Sequence, residues 1–223
     1  MTNPSHLTRR HVWLGLSAVA ITGCTTSAEA PPSALKRTPV ARDFALMYGP
    51  KPNEKFPIPA VNLKRVPNRF LRREVRNRTG EGPNTLIVNT RTYFLHHVQR
   101  DGTTMRYGVG LGREGFGWKG RAEVAWKRPW PTWTPPAEMI EREPELEKYS
   151  AANGGMKPGL DNPLGARALY IFQDGVDTLY RLHGTPEYWT IGKAVSSGCV
   201  RLMNQDIIHL YDNVRSGTKL LVI

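Results

Sequence analysis

From Thr85 onward the chain is broken into short apolar or β-branched runs separated by Gly, Pro, Asn and Asp, and this punctuation constrains the fold more than any other feature. The segments "TLIVNT" and "TYFLHHVQ" have the length and residue types of strands. Asp101-Gly102 then supplies a hairpin turn before "TTMRYGVGLG". Further strand candidates are "RAEVAWK", "ARALYIFQ", "DTLYRLHG" and the terminal "TKLLVI". Helical spacing shows in two places. One spans residues 136–149; the other follows Asn204, which is placed to cap a helix with Ile207, Leu210, Tyr211 and Val214 along one face. The expected class is therefore mostly β (α+β), a β-sandwich or open barrel with one or two short helices, occupying residues 85–223 and long enough to bury one core.

The chain ahead of this domain has a different character. Residues 31–84 carry 12 basic and 4 acidic side chains, are rich in Pro, and lack sustained periodicity; residues 85–223 carry 17 and 14. The positive balance of the whole chain, +12, thus resides largely in the N-terminal arm. The arm reads as an extended basic tether, packing locally through Phe44, Tyr48, Phe56 and Phe70. Its charge suits an anionic envelope surface, and a solvated charged linker is the plainer reading of the same residues.

Residues 1–30 read as an export signal. Arg9 and Arg10 form a twin-arginine n-region, and an apolar run from Val12 to Gly23 follows. That run is well short of the ~20 residues that cross a bilayer. Two processing sites compete: "ITGC" is a lipobox that would make Cys24 an acylated N-terminus, and Ala28-Glu29-Ala30 fits ordinary cleavage. Either outcome removes or lipidates Cys24, leaving Cys199 as the other of the chain's 2 cysteines. Export places the protein in the periplasm or cell envelope and argues against nucleic acid as a partner.

In an oxidising compartment a lone cysteine is intermolecular, buried and inert, or reactive. Cys199 follows Gly198, which removes side-chain bulk beside the sulfur, and the amides around Gly198 and Cys199 suit a developing oxyanion. His183 ends a strand-like segment sixteen positions earlier, and Gly184 after it permits a sharp turn. A nearby base is what converts a thiol with pKa about 8.5 into a nucleophile. Ser196, Ser197 and Arg201 add polar and cationic groups. A bland alternative stands beside this: a buried hydrophobic Cys199, a structural His183, and Arg201 paired with Asp206.

The segments "HGT" and "SSGCVRL" resemble the signature of the L,D-transpeptidase catalytic domain of the YkuD/ErfK type, a histidine-glycine followed by a serine-x-glycine-cysteine block. The resemblance extends over residues 84–223, and "PTWTPP" and "DNPLGARALYIF" look like exported Gram-negative members. It implies that Cys199 is the acyl-accepting nucleophile and His183 its base. Gly198 and Cys199 would provide oxyanion amides, with Ser196 and Arg201 lining the site. Ser197 stands where many members have a second histidine, and Arg201 where some have asparagine. The implied activity is peptidoglycan cross-linking on stem peptides, without metal or organic cofactor; a catalytically idle wall-binding lipoprotein and an L,D-carboxypeptidase or exchange enzyme are the alternatives. A sortase or a cell-wall endopeptidase fits the order and spacing of His183 and Cys199 less well.

Three other features invite readings. Adjacent His96 and His97 in a strand point to opposite faces, which disfavours a shared metal site. Trp126, Trp130 and Trp133 in "WKRPWPTWTPP" suggest a lid over the cleft. The acidic "EMIEREPELEK" reads as a solvated helical face.

Overall fold

The structure, a computed structural model, describes residues 41–112, 119–196 and 199–223. The expected signal segment, Cys24, Ser197 and Gly198 lie outside the described residues, as does the side chain of Ser196.

Eleven strands and three α-helices are described. The helix α1 (Ala41–Met47) is followed by β1 (Arg73–Arg76), β2 (Leu86–Asn89), β3 (Phe94–Val98), β4 (Thr103–Gly108), β5 (Leu111–Gly112) and β6 (Gly120–Pro129). Then come α2 (Ala137–Arg142), β7 (Arg167–Gln173), β8 (Val176–Thr185), β9 (Ala194–Ser196), β10 (Val200–Met203), α3 (Asn204–Asn213) and β11 (Thr218–Val222). Nine strands form one mixed sheet in the order β1-β4-β3-β2-β11-β6-β7-β8-β10, while β5 and β9 pair separately. The β2–β11 and β8–β10 pairs are parallel. Gly110, just past β4, exchanges both main-chain hydrogen bonds with Arg201 at 2.9 Å, so one bridge ties β10 back toward the other end of the sheet. The expected mostly β class therefore holds, as a mixed sheet tied across its ends.

Alternation explains the core. Leu86 and Val88 of β2, Leu95 of β3, Tyr107 of β4, Leu169 and Ile171 of β7, and Leu182 of β8 share one buried cluster with Ile207 and Leu210 of α3. Residues two apart along a strand share a face, so each strand adds its inward set to the same core. At Asp101-Gly102 the turn forms as expected: Gly102 adopts φ +79° and the Asp101 carboxylate accepts from the Thr103 amide and hydroxyl.

Two local expectations are corrected. The stretch 136–149 is not one helix: α2 stops at Arg142, and Pro144 starts a separate 3-10 turn over Pro144–Tyr149, because proline cannot donate into the preceding turn. Asn204 is the first residue of α3 and caps nothing with its side chain; its Oδ1 instead accepts from the Ala166 amide at 2.9 Å.

The described part of the arm packs against the sheet domain rather than running extended. Phe44, Tyr48, Val61, Val66, Phe70 and Leu71 bury themselves with Ile191 and Met203, and β1 pairs with β4. The anticipated local packing through Phe44, Tyr48, Phe56 and Phe70 thus reaches well beyond the arm itself. Tyr48 donates to Asp206 Oδ2 at 3.1 Å and accepts from the Arg72 amide, while Arg72 Nη1 donates to Asp206 Oδ1 and to the Gln205 carbonyl, both at 3.2 Å. Burial pushes the Asp206 carboxyl up to about 6, against the pull of the Arg72 charge and the Tyr48 hydrogen bond. Glu54 makes a second anchor, accepting from both Nη atoms of Arg167 and from Trp130 Nε1.

Candidate active site

His183 lies on β8 between β7 and β10, and two registers place it. Ala168 faces it from β7 and Arg201 from β10. Ala168 is fully buried and small, which leaves room for an imidazole above it. Extending the parallel β8–β10 register by one position sets Cys199 opposite Arg181, so Cys199, Arg201, Arg181 and His183 share one face of the sheet. Leu182, Val200 and Leu202 point the other way, into the core.

The imidazole is oriented by its own neighbour. His183 Nδ1 lies 2.6 Å from the Gly184 carbonyl, which can only accept, so Nδ1 carries the proton and Nε2 carries the lone pair. Burial pulls His183 down to about 4; the Gly184 hydrogen bond opposes this, and the Arg201 and Arg181 charges reinforce it. The ring is neutral at pH 7. Cys199 is half-buried. Burial pushes its thiol up, against a main-chain hydrogen bond from Arg181 and the charges of Arg181 and Arg201. The resting state is therefore a protonated thiol and a neutral imidazole on one face of the sheet.

Gly184 does not make the expected sharp turn, since β8 runs through it to Thr185. What its missing side chain provides is space. A Cβ there would sit 2.3 Å from Asn204 Oδ1 and 3.0 Å from Ile207 Cγ2, so the start of α3 docks directly on the residue that anchors His183. Gly192, at φ +84°, does the same for the segment between His183 and Cys199: the Phe70 ring occupies the place of its Cβ. Arg65 of the arm lies 4.1 Å over the Trp189 ring in that same segment.

Arg201 is ion-paired with Glu187, Nη1 to Oε2 at 2.9 Å, and not with Asp206, which Arg72 and Tyr48 occupy. The lid expectation fails for the tryptophans taken together. Trp130 is buried and packs edge-on against Phe56 while bonding Glu54, Trp133 packs toward Tyr149, and Trp126 belongs to β6 and stacks on Tyr170. His96 and His97 diverge as expected: His96 bonds Thr104 Oγ1, and His97 is buried. Among the described residues no group of three or more His, Cys, Asp and Glu is placed to hold a metal ion, and no helix is long and apolar enough to cross a membrane.

Sequence reasoning missed Arg181, Glu187 and Ala168. The signal for Arg181 was present, since it stands two positions before His183 and so on the same face of the strand. Glu187 reaches the site only through its pairing with Arg201.

A thiol just before β10 and an oriented imidazole on β8, sharing one face with Arg181 and Arg201, define a mostly β domain with its Cys/His pair at one edge of the sheet. The chain belongs to the L,D-transpeptidase catalytic-domain family, whose profile matches residues 83–222. It is similar to the probable L,D-transpeptidases ErfK/SrfK and YbiS of Escherichia coli K12. Each is 34% identical, over 148 and 147 residues, covering 62% of this chain and 43% and 44% of those proteins. The chain thus matches less than half the length of these curated relatives. A solved structure from Brucella melitensis, described as a probable carnitine operon oxidoreductase, is 40% identical, covering 73% of this chain and 99% of that one at a TM-score of 0.49. That description is of the Brucella protein.

Proposed function

We propose that the protein is a cysteine-dependent L,D-transpeptidase acting on peptidoglycan stem peptides, with Cys199 as nucleophile and His183 as general base. The single observation that carries this reading is the committed tautomer: Nδ1–H is spent on the Gly184 carbonyl, so Nε2 has its lone pair available on the face that carries Cys199. The raised thiol taken alone would favour an idle wall-binding protein. A neutral base on the same face removes the conflict, because the proton then leaves the thiol during attack rather than before it.

In the first half-reaction Sγ attacks the carbonyl of the third, L-centred stem residue, and the thiol proton passes to His183 Nε2. The tetrahedral intermediate collapses with cleavage of the C–N bond to the terminal D-alanine, whose amine takes that proton. A side-chain amine of a neighbouring stem then attacks the thioester, forming the new amide and returning the proton to sulfur through His183. Amides at Gly198 and Cys199 are assigned to the oxyanion, and Ser196, Ser197 and Arg201 to substrate contact. Gly184 acts through His183. Water or a free amino acid as acceptor gives the carboxypeptidase and exchange activities from the same thioester. The reading also places the protein in the cell envelope, exported by residues 1–30, with Cys24 as a candidate lipid anchor.

The test is muropeptide analysis after incubating the mature protein with tetrapeptide-bearing sacculi. Cross-linked dimers formed by wild type and not by Cys199→Ala are expected. Cross-linking that persists in Cys199→Ala would overturn the assignment.

A further inference from the structure

The active-site face continues across the sheet in an unbroken row. One step beyond the β8–β10 register sets Arg181 opposite Cys199; opposite Arg181 on β7 stands Tyr170; opposite Tyr170 on β6 stands Trp126. Three inter-strand steps separate the two ends, about 14 Å. The side chains touch along the row: the Arg181 guanidinium lies 4.4 Å from the Tyr170 ring centre, and the Tyr170 and Trp126 rings stack at 3.4 Å and 12°.

Two irregularities build this row. On β6 the register runs from Val124↔Ile171 to Trp126↔Tyr170, so Ala125 is an extra residue; without it Trp126 would not oppose Tyr170. On β8 the register runs from Tyr170↔Arg181 to Phe172↔Asp177, and the extra residues loop out through Leu179, which is exposed and held at φ +62°. Four residues along a flat strand would separate Asp177 from Arg181 by about 13 Å. The loop instead brings them into a bidentate pair at 2.7 and 2.9 Å. Arg181 Nη1 also donates to the Tyr180 carbonyl at 2.9 Å. With its fork used in this way, Arg181 is poorly placed to grip a substrate carboxylate; it is a cation clamped on the face that carries Cys199.

We propose that Arg181 is a positioning residue for Cys199, and that Asp177, Tyr170 and Trp126 hold it at that post. Its amide hydrogen-bonds the sulfur and its guanidinium stands on the same face. The charge favours the thiolate as the proton leaves and disfavours an imidazolium at His183 in the resting state, so one fixed cation serves both partners. The other groups on this face are His183 on β8 and Arg201 on β10; each guanidinium carries a carboxylate partner, Asp177 on Arg181 and Glu187 on Arg201. The inference rests on Cys199 being the reactive thiol.

The experiment is the pH profile of Cys199 alkylation by iodoacetamide in the purified protein, followed by intact mass and compared among wild type, Arg181→Met, Arg181→Lys and Tyr170→Leu. Loss of a cation from this face is expected to raise the alkylation midpoint by about one unit. That slows the reaction at neutral pH about tenfold in Arg181→Met. Arg181→Lys recovers part of the shift and Tyr170→Leu shows a smaller one in the same direction, outcomes that a purely structural role would not order by charge. A wild-type thiol that resists alkylation at every pH sinks the reading of Cys199 as nucleophile. Wild-type midpoints in every variant that folds, over a reactive wild-type thiol, overturn the role of Arg181. Arg181→Lys and Tyr170→Leu decide the matter should Arg181→Met fail to fold.

Discussion

Gly184→Ala adds one methyl group where β8, α3 and the His183 anchor meet, and the structure gives the size of the effect. The new Cβ would stand 2.3 Å from Asn204 Oδ1, 3.0 Å from Ile207 Cγ2 and 3.1 Å from the Ala166 nitrogen. Ile207 and Ala166 are fully buried, so the crowded groups cannot move into solvent. Overpacking of this kind costs about 1–3 kcal/mol. If Asn204 swings away, the Ala166 amide loses its 2.9 Å acceptor, and a buried donor left without a partner costs about 1–3 kcal/mol more. We expect a loss of about 2–6 kcal/mol, read from urea unfolding midpoints at unchanged slope. The same substitution made in an Asn204→Ala background should cost less, because the displaced oxygen is already gone. A Gly184→Ala protein within about 0.5 kcal/mol of wild type would refute the packing argument.

Removal of residues 1–84 is expected to destabilise the remaining chain, since Phe44, Tyr48, Phe70 and Leu71 each bury surface worth about 1.5–3 kcal/mol against its core; a urea midpoint equal to that of the full mature chain would contradict this. Arg72→Met leaves the Asp206 carboxylate buried with only Tyr48 as a partner and should cost about 3–5 kcal/mol, checked by the same unfolding assay. Acid should destabilise the fold in a defined window. Burial holds His96, His183 and His209 near 4 and pulls His97 down too. Below an unfolded value of about 6.5 the unfolded chain therefore takes up protons that the folded one refuses, and stability falls as pH drops from there toward 4. Asp206, raised to about 6, opposes this over the lower part of the window, since the fold protonates it more readily than the unfolded chain does. Thermal midpoints should fall between pH 7.5 and pH 5, with a shallower slope in His209→Gln; a flat profile in wild type would count against the buried neutral imidazoles.

What the sequence disclosed follows from where the information lies. Strands β2, β3, β4, β6, β7, β8 and β11 were legible because alternation and turn residues are local signals. The strands β1, β9 and β10 were not, being three or four residues long and dependent on distant partners. The face of α3 was legible through Ile207, Leu210 and Val214, whereas the role of Asn204 was not, because its oxygen is drawn to Ala166, 38 residues away in sequence. The arm misled for a related reason: its Pro and Arg content resembles a linker, yet Tyr48, Phe70 and Arg72 find partners beyond residue 190. At the site, His183 and Cys199 were legible through their flanking glycines and the serine-x-glycine-cysteine block, whereas the shared face of Cys199 and Arg201 emerges only from the pairing of β10 with β8. The bulges at Ala125 and Leu179, which bring Trp126, Tyr170 and Asp177 into line with Arg181, have no local sequence mark.

The most direct test of the central claim is intact-protein mass spectrometry after exposure to a carbapenem, whose strained carbonyl presents the thiol with an electrophile in place of the stem peptide. Acylation requires the sulfur to be reachable, His183 Nε2 to accept its proton and the neighbouring amides to hold the oxyanion, all at once. The account predicts one adduct on wild type, none on Cys199→Ala, and one that forms much more slowly on His183→Ala. A folded wild-type protein whose mass is unchanged after long exposure, or an equal adduct on Cys199→Ala, would contradict it.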